Sequence, residues 1–370
     1  MDKDLKSNTL EELEYLVAGF EQKNYIAGYI FSFIHVRGVK DIDSITPLSK
    51  PFRSRLAEQG YYISQLETAD KLTDPDGTIK YVFGLPASTR FGEAGPDGNR
   101  IESVLLFDPV KSKRFPGLSP GNSKGISQGD DRCTLCVSTQ EGCSMGCVFC
   151  ATGRLGLIRN LTAGEITDQV NIIGAENKIS NIVFMGMGEP LANYEAVLKA
   201  VRILNHPKGK NIGIRHLTIS TCGIPKGIER LADEDIKPRL AISLNAPTDA
   251  IRQKLMPITK KYPLERLFSA VAFYQRRTHN RVTFEYVLIK DVNDTVLHAQ
   301  MLIKRLRGVL CNVNLIEYNP HSGCEMQPSE NEAIERFANV LTEAGFETTV
   351  RRKMGRTIKA ACGQLGAKAE

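Results

Sequence analysis

From Arg132 onwards, short apolar segments alternate with longer segments whose apolar residues recur at helical spacing. The strand candidates are Ile179 to Met185, His216 to Thr221, Leu240 to Asn245, Val282 to Ile289 and Val313 to Tyr318. The helical patterns that accompany them are Thr162 to Ile173, Tyr194 to Leu204, Pro225 to Ala232, Leu264 to Arg276 and Val296 to Leu306. Strands that alternate with helices pack as a parallel sheet with right-handed crossovers, so this region predicts an α/β fold. In such sheets, functional residues lie beyond the carboxyl ends of the strands.

The beginning of the chain predicts a small helical part. Thr9-Leu10-Glu11-Glu12 has the spacing of a capping box, which opens a first helix. Apolar patterns predict a second helix at Tyr25 to Val36 and a third that opens at Ser49-Lys50-Pro51. We therefore expect residues 1–75 to form a helical accessory domain.

Between the helical part and the α/β region, the alternating segments Thr78 to Phe83 and Arg100 to Phe107 predict a β-hairpin. The stretch 110–129 is rich in Lys, Ser, Gly and Pro and predicts a surface insertion, with Lys111, Lys113 and Arg114 exposed. We expect residues 76–128 to form this hairpin and loop, 129–355 the core, and 356–370 a separate C-terminal segment. A helix at Ala333 to Gly345 and an edge strand at Thr348 to Arg351 close the core.

Composition excludes few functions. The chain has 370 residues, 42% hydrophobic and 24% charged, with a net charge of +6 that permits a nucleic-acid partner without requiring one. Without a signal-peptide core or an apolar run of membrane-spanning length, we expect a cytoplasmic protein with no membrane partner. We also expect a monomer. Nine cysteines in such a chain indicate metal-binding or catalytic thiols rather than a disulfide framework.

Three of these cysteines lie at C-x3-C-x2-C spacing in Cys143-Ser144-Met145-Gly146-Cys147-Val148-Phe149-Cys150. Iron-sulfur clusters usually take four thiolates, so three in one loop indicate a four-iron cluster with one iron open to a small molecule. A competing zinc site would pair Cys133 and Cys136 with Cys147 and Cys150. The zinc site leaves Cys143 unused and has only ten residues between its two pairs, which disfavours it. Three unrelated buried cysteines at this spacing would be an improbable coincidence.

The cysteine motif, with an aromatic residue before its last cysteine, resembles the signature of radical S-adenosylmethionine enzymes. Four further segments narrow the resemblance to the RlmN family of ribosomal RNA adenine C2-methyltransferases. They are Cys133-Thr134-Leu135-Cys136-Val137-Ser138-Thr139-Gln140, Cys150-Ala151-Thr152-Gly153, Phe184-Met185-Gly186-Met187-Gly188-Glu189-Pro190-Leu191 and Ala360-Ala361-Cys362-Gly363-Gln364-Leu365. The resemblance extends from about Tyr81 to Leu365 and implies a partial (β/α)6 barrel of the radical SAM type.

The resemblance also implies cofactors. A 4Fe-4S cluster would be bound by Cys143, Cys147 and Cys150, and two molecules of S-adenosylmethionine would be used per turnover. The positions that match the family's S-adenosylmethionine contacts follow strands; they are Gly188, Glu189, Ser220, Ser243, Leu244, Asn245 and Asn319. Asn245 stands where the family usually has His, which puts a side-chain contact at that position in doubt. A one-electron donor such as flavodoxin is implied as a partner, although no residue identifies it.

In the family's mechanism, two thiols outside the cluster carry the chemistry. By resemblance, Cys362 takes a methyl group from one S-adenosylmethionine, and a radical made from a second converts that group to a methylene radical that adds to adenine C2. Glu102, in Ile101-Glu102-Ser103-Val104, would remove the C2 proton. Cys136, seven residues before Cys143, would then attack the sulfur of Cys362 and release the product as a transient disulfide forms. The implied substrates are 23S ribosomal RNA and, in some members, transfer RNA, with the helical domain helping to bind them.

Two other functions stay open. The related Cfr group methylates adenine C8 with the same five thiols, and Glu189-Pro190-Leu191 looks more like the C2 group. A zinc-dependent RNA-binding protein without catalysis is the alternative from another class. The remaining thiols, Cys222, Cys311 and Cys324, have no partner spacing and are interpreted as core or incidental thiols. Positive charge before Cys362 would attract phosphate and favour a thiolate; the residues are Arg351, Arg352, Lys353, Arg356 and Lys359.

Overall fold

The computed structural model describes residues 2–85, 100–108, 132–321, 323–351 and 353–367. The predicted insertion at 110–129, with Lys111, Lys113 and Arg114, lies outside the described residues. No helix in the described part of the chain is both long enough and apolar enough to cross a membrane.

Three helices form the N-terminal module: α1 (Leu10–Gly19), α2 (Tyr25–His35) and α3 (Lys50–Glu58). The predicted capping box opens α1, because Thr9 Oγ1 accepts from the backbone N–H of Glu12 while the Glu12 carboxylate accepts from the backbone N–H of Thr9. The apolar faces of the three helices build a hydrophobic cluster of their own. Ala163 and Ile203 of the α/β region belong to that same cluster, so the module packs directly on the core.

In chain order, the described strands are β1 (Glu67–Thr73), β2 (Ile79–Gly84), β3 (Arg100–Asp108), β4 (Arg132–Cys136), β5 (Gln140–Gly142), β6 (Leu157–Asn160), β7 (Asn181–Phe184), β8 (Leu217–Thr221), β9 (Arg239–Ser243), β10 (Val282–Leu288), β11 (Cys311–Glu317) and β12 (Thr348–Arg351). Ten of them form one sheet in the order β1-β2-β3-β4-β7-β8-β9-β10-β11-β12, and β5 pairs with β6. Neighbours from β1 to β4 are antiparallel, whereas β4 and β7 to β12 run parallel.

The helices of the α/β region are α4 (Ala151–Leu155), α5 (Ala163–Glu176), α6 (Tyr194–Asn205), α7 (Pro225–Asp233), α8 (Asp249–Leu255), α9 (Leu264–Thr278), α10 (Val296–Leu306) and α11 (Asn331–Glu343). A second capping box, between Thr162 and Glu165, opens α5. The α/β class and the alternation of strands with helices are confirmed. The closure of the sheet into a partial (β/α)6 barrel stays a prediction.

Strand β1 was not predicted. Its sequence, Glu67-Thr68-Ala69-Asp70-Lys71-Leu72-Thr73, has no alternation of apolar and polar residues. Nearly all of its side chains are exposed, so neither face of the strand needs to be apolar. It extends the predicted hairpin of β2 and β3 to three antiparallel strands and lies within the segment 1–75 that we expected to be helical.

One continuous hydrophobic core joins the sheet to the helices on it. A third, smaller apolar cluster lies at the carboxyl ends of the parallel strands, where Tyr318 and Ile289 pack with Phe149, Leu255 and Cys222. This cluster supports the loop that carries the three spaced cysteines.

Candidate active site

The cysteine loop, residues 143–150, leaves the end of β5 and closes at the start of α4. The backbone N–H of Cys143 donates to Gly156 O at 2.8 Å, and that of Val148 donates to Leu255 O at 3.0 Å. The turn is tight: a Cβ added at Gly153 would lie 3.0 Å from both the N and the O of Cys147. Backbone contacts therefore fix the loop between β5, α4 and α8.

The three thiols of this loop influence one another. Burial, with the neighbouring Glu189 and Cys150, raises the pKa of Cys143 to about 12. Burial and the other two thiols also raise the pKa of Cys147, and burial raises that of Cys150. Buried thiols that repel one another as anions fit a site whose negative charge is balanced by a bound cation. The donor set suits a cluster with one iron per thiolate.

A single metal ion fits less well. In the described residues, no three His, Cys, Asp or Glu side chains converge on one point where an ion would sit. A zinc site needs four ligands around one ion. Cys133 is instead buried in the main core on β4, away from the cysteine loop's apolar cluster. The four thiols of the zinc alternative thus pack in two different apolar clusters, Cys133 and Cys136 in the main core and Cys147 and Cys150 against the smaller one, which disfavours a single site.

Gly188 and Glu189 follow β7. Gly188 has φ +103°, and a Cβ there would lie 2.6 Å from Gln140 Cβ, so the close approach of the two segments requires glycine. Glu189 is buried; its Oε1 accepts from the N–H of Leu191 at 2.9 Å and its Oε2 from that of Cys222 at 2.7 Å. Burial raises the pKa of Glu189, although these hydrogen bonds oppose the shift. The carboxylate therefore links the ends of β7 and β8.

The predicted contacts after β8 and β9 lie along the same edge of the sheet. Ser220 and Ser243 are half-buried there. The backbone of Leu244 is already engaged, since its N–H donates to Glu285 O at 2.9 Å. Asn245 has φ 59°, and its side chain accepts from the N–H of Val287 at 2.8 Å. The Asn245 side chain is therefore held by the protein, and its role toward S-adenosylmethionine stays a prediction.

The C-terminal segment, residues 355–367, folds back across these strand ends. Gly363 O accepts from the N–H of Ala151 at 2.7 Å, and Leu365 O accepts from Thr152 Oγ1 at 2.6 Å. Asn319 Nδ2 donates to Cys362 O at 3.2 Å. The segment is therefore bound to both the end of the cysteine loop and the end of β11, with the Cys362 side chain exposed.

This folding brings the two proposed reactive thiols together. Burial and the neighbouring Cys362 raise the pKa of Cys136 to about 12, and Cys362 also acts electrostatically on Cys150. All nine cysteines fall within the described residues and all are free, so the transient disulfide between Cys136 and Cys362 is not present in the structure.

Glu102 lies on β3, two residues before Val104, which pairs with Cys136 of β4. Its Oε2 accepts from the N–H of Gly366 at 3.0 Å, and its Oε1 lies 3.4 Å from Lys80 Nζ. Lys80 was missed in the sequence. A lysine within the apolar strand Ile79-Lys80-Tyr81-Val82-Phe83 is the signal that could have pointed to it, because a buried cation needs a partner.

The predicted basic cluster is partly turned inward. Arg351 lies 3.6 Å from the carboxylate of Glu285, and Lys353 pairs with Glu317. Burial opposes its charge, but Glu285, Cys362 and Cys136 together raise the pKa of Arg351. Arg352 is outside the described residues. Among the described cations of this cluster, Arg351 and Lys353 are thus paired with carboxylates of the protein.

Comparison with known proteins agrees with this site. The Radical SAM superfamily model matches residues 137–300, and the Ribosomal RNA large subunit methyltransferase N-terminal domain model matches residues 3–61. The crystal structure of a radical SAM methyltransferase from Sphaerobacter thermophilus matches with a TM-score of 0.83 and 40% identity, covering 99% of both chains. Fold, cysteine loop and superfamily match define the class: the chain is a radical SAM enzyme, and members of this class use a 4Fe-4S cluster and S-adenosylmethionine.

Two full-length relatives define the family more closely. The probable dual-specificity RNA methyltransferase RlmN of Thermoanaerobacter sp. (strain X514) is 43% identical over 98% of this chain and 97% of its own. The dual-specificity RNA methyltransferase RlmN of Syntrophotalea carbinolica is 41% identical over 99% of this chain and 90% of its own. The chain belongs to the RlmN family.

Proposed function

We propose that this protein is a radical SAM methyltransferase that methylates C2 of an adenosine in 23S ribosomal RNA and in transfer RNA. The observation that carries the proposal is the folded-back C-terminal segment, in which Gly363 and Leu365, just after Cys362, accept hydrogen bonds from Ala151 and Thr152, just after Cys150. The name of the RlmN relatives, dual-specificity RNA methyltransferases, supports two RNA substrates.

Adenine C2 lies between two ring nitrogens and is electron-poor, so it has no electron pair with which to attack a methyl cation equivalent. A carbon-centred radical adds to such a carbon without that requirement. When bound at the cysteine loop, the cluster and S-adenosylmethionine supply the one-electron chemistry that generates a carbon radical. The residues of the protein must carry the one-carbon unit on a side chain and then release it to the RNA by cleavage of the bond to that side chain.

Three residues perform that task in the proposal. The thiolate of Cys362 accepts a methyl group from one S-adenosylmethionine, and S-adenosylhomocysteine leaves. A radical that a second S-adenosylmethionine would supply takes one hydrogen atom from this methyl group, and the remaining methylene carbon bonds to C2. Glu102 takes the C2 proton, and the one electron that the adduct must lose to become aromatic again would be accepted by the cluster when it is bound at the cysteine loop. Cys136 then attacks the sulfur of Cys362, and the electron pair of the carbon–sulfur bond goes to the carbon. That carbon takes a proton to become the new methyl group, leaving a disulfide for an external thiol to reduce.

The contacts of these residues support their roles. Cys362 is exposed while Cys136 is buried next to it, so substrate reaches the carrier thiol before the resolving one. Glu102 is held to the same C-terminal segment through Gly366. Arg351 is close enough to Cys362 for the two side chains to interact electrostatically.

We also propose the domain organisation expected from the sequence. Residues 1–75 would form the accessory domain that helps to bind RNA, 76–128 the hairpin and inserted loop, 129–355 the radical SAM core, and 356–370 the catalytic-cysteine segment. The separate hydrophobic cluster of α1 to α3 and the family match at residues 3–61 support the first of these.

Peptide mass spectrometry of Cys362 tests the function. Protein incubated anaerobically with S-adenosylmethionine, after cluster reconstitution, should carry one methyl group on Cys362 and none on Cys311. Cys362→Ala should abolish methylation of an RNA substrate. Cys311→Ala is the matched control. Cys311 lies at the amino end of β11, whereas the candidate site lies at the carboxyl ends of the strands, so its loss should leave turnover unchanged. Methylated RNA produced by Cys362→Ala would refute the scheme.

A further inference from the structure

Arg252, on α8, is among the largest fully buried side chains, with 0% of its surface exposed. Its Nε donates to Leu244 O at 3.0 Å and its Nη1 to Thr259 Oγ1 at 3.0 Å. Its Nη2 donates to the carbonyl oxygens of Cys222 and Ser243. The guanidinium therefore joins the ends of β8 and β9 to the turn that follows α8.

All of these acceptors are neutral. No carboxylate of the described residues forms an ion pair with Arg252; the carboxylate of nearby Asp249 accepts instead from the N–H of Leu264 at 2.7 Å. Burial lowers the pKa of Arg252, while Cys222, Cys147 and Asp249 oppose that shift. A buried charge is strongly unfavourable unless an opposite charge lies close to it. Arg252 therefore needs a counter-charge that the protein's carboxylates do not provide.

The cysteine loop lies where that counter-charge is needed. The N–H of Val148 donates to Leu255 O at 3.0 Å, so the loop is fixed to the end of α8. Cys147 and Cys150 also pack against the apolar cluster that contains Leu255 and Met256, which close α8 just after Arg252. Three thiolates outweigh the positive charge of a four-iron core, so a cluster in this loop has net negative charge, which grows on reduction.

We propose that Arg252 is the counter-charge of the iron-sulfur cluster and a positioning residue that makes the cluster easier to reduce, an inference that rests on the proposed function. A fixed cation beside the cluster stabilises its reduced, more negative form over its oxidised form. The same guanidinium holds the strand ends after β8 and β9, so charge compensation and the shape of the cofactor site are coupled through one side chain.

The test is a redox titration of the full-length protein, reconstituted with iron and sulfide under anaerobic conditions and followed by electron paramagnetic resonance. At the potential where the wild-type cluster is half reduced, Arg252→Gln should lower the ratio of reduced to oxidised cluster at least tenfold, a shift of about 59 mV for one electron. Arg252→Lys keeps the charge and should restore most of the ratio. Thr259→Val removes a hydrogen bond of Arg252 but not its charge, and should titrate like the wild type.

The possible outcomes distinguish a failure of this inference from a failure of the proposed function on which it rests. A wild-type protein that assembles no cluster contradicts the proposed function itself. A cluster in Arg252→Gln with the wild-type ratio overturns the inference and leaves the function standing. If Arg252→Gln retains no cluster, the result for Arg252→Lys is decisive. A cluster in Arg252→Lys with the wild-type ratio supports the role of the positive charge. Loss of the cluster in both variants overturns the inference, because only the shape of the arginine side chain then matters at position 252.

Discussion

Glu102 Oε2 accepts a hydrogen bond from the backbone N–H of Gly366 at 3.0 Å, which ties strand β3 to the segment that carries Cys362 four residues earlier. This hydrogen bond therefore fixes the position of Glu102, the proposed proton acceptor, relative to the segment that carries Cys362, the proposed methyl carrier. Because Glu102 also pairs with the buried Lys80, its position depends on the sheet as well as on the docked segment.

Glu102→Gln should leave methylation of Cys362 intact while it impairs transfer of the carbon to RNA. The amide still offers an oxygen to Gly366 but cannot take a proton. We expect Cys362 to be methylated normally while formation of methylated RNA falls at least ~100-fold, the usual contribution of a general base. Both are measured on one reaction, by peptide mass spectrometry and by transfer of labelled methyl to RNA. The matched control is Lys80→Met, which removes the partner cation and keeps the carboxylate. Near-normal turnover in Glu102→Gln would remove this residue from the mechanism.

Cys362 and Cys136 should differ sharply in reactivity. Cys362 is exposed, whereas Cys136 is buried and has its pKa raised to about 12 by burial and by Cys362. Only thiolates alkylate, so iodoacetamide at neutral pH should modify Cys362 at least ~100-fold faster in cluster-free protein. Cys362→Ala removes the neighbour that raises the pKa of Cys136, and should speed its alkylation. Rates are measured by mass spectrometry of the two peptides, with buried Cys133 as the internal reference. Equal rates at both sites would show that the segment does not dock as described.

Much of the fold and of the site could be predicted because local patterns specify them. Strand and helix periodicities placed β10 at Val282 and α10 at Val296 to Leu306, since a buried parallel strand and an amphipathic helix both need those patterns. The cysteine spacing and the segment around Cys362 likewise carry their chemistry in a few adjacent residues.

Other features have no local signal. Arg252 stands between Ile251 and Gln253 on a short helix, where an arginine ordinarily faces solvent, and its burial follows only from the packing of α8 against the ends of β8 and β9. Arg351 was predicted only as one of the basic residues before Cys362, and its pairing with Glu285, distant in sequence, has no local signal. Long-range contacts of this kind depend on the assembled sheet.

Asp74 should make docking of the C-terminal segment depend on pH. Its Oδ2 accepts from the N–H of Thr357 at 2.8 Å and from Thr357 Oγ1 at 2.7 Å. Burial acts to raise the pKa of Asp74, but hydrogen bonds from Asp76 and Thr357 outweigh it, and the pKa lies below its ordinary value of 3.8. Because the pKa of Asp74 is lower in the folded than in the unfolded protein, its stabilising effect is fully present above the ordinary pKa. The effect is lost as the pH falls through the lower pKa of the folded protein.

Asp74→Asn should therefore lower the free energy of unfolding by about 1 to 3 kcal/mol at neutral pH, the range for hydrogen bonds to a charged group. The difference from wild type should be constant at neutral pH and shrink in acid, below the ordinary value of 3.8. Urea unfolding at a series of pH values measures it, and hydrogen exchange of residues 355–367 shows whether the docked segment loosens. Asp70→Asn, at an exposed position of β1, is the control and should change neither quantity. A difference that persists unchanged in strong acid would contradict the assignment.

The N-terminal module should depend on one buried ion pair. Lys6 Nζ lies 2.6 Å from Asp168 Oδ1, with side chains 4% and 6% exposed, and Asp168 Oδ2 accepts from the N–H of Leu66 at 2.8 Å. Lys6→Met leaves the Asp168 charge buried without its partner, which should lower the free energy of unfolding by about 3 to 5 kcal/mol. Lys71→Met breaks the exposed pair with Glu176, which also reaches α5, and should cost less than about 1 kcal/mol.

The double variant Lys6→Met with Asp168→Asn completes the comparison. Because it removes both charges together, it should be more stable than the sum of the two single losses predicts. Urea unfolding of the four proteins gives the coupling free energy directly. A Lys6→Met loss as small as that of Lys71→Met would mean that packing of α1 to α3, rather than the buried pair, holds the module to the core.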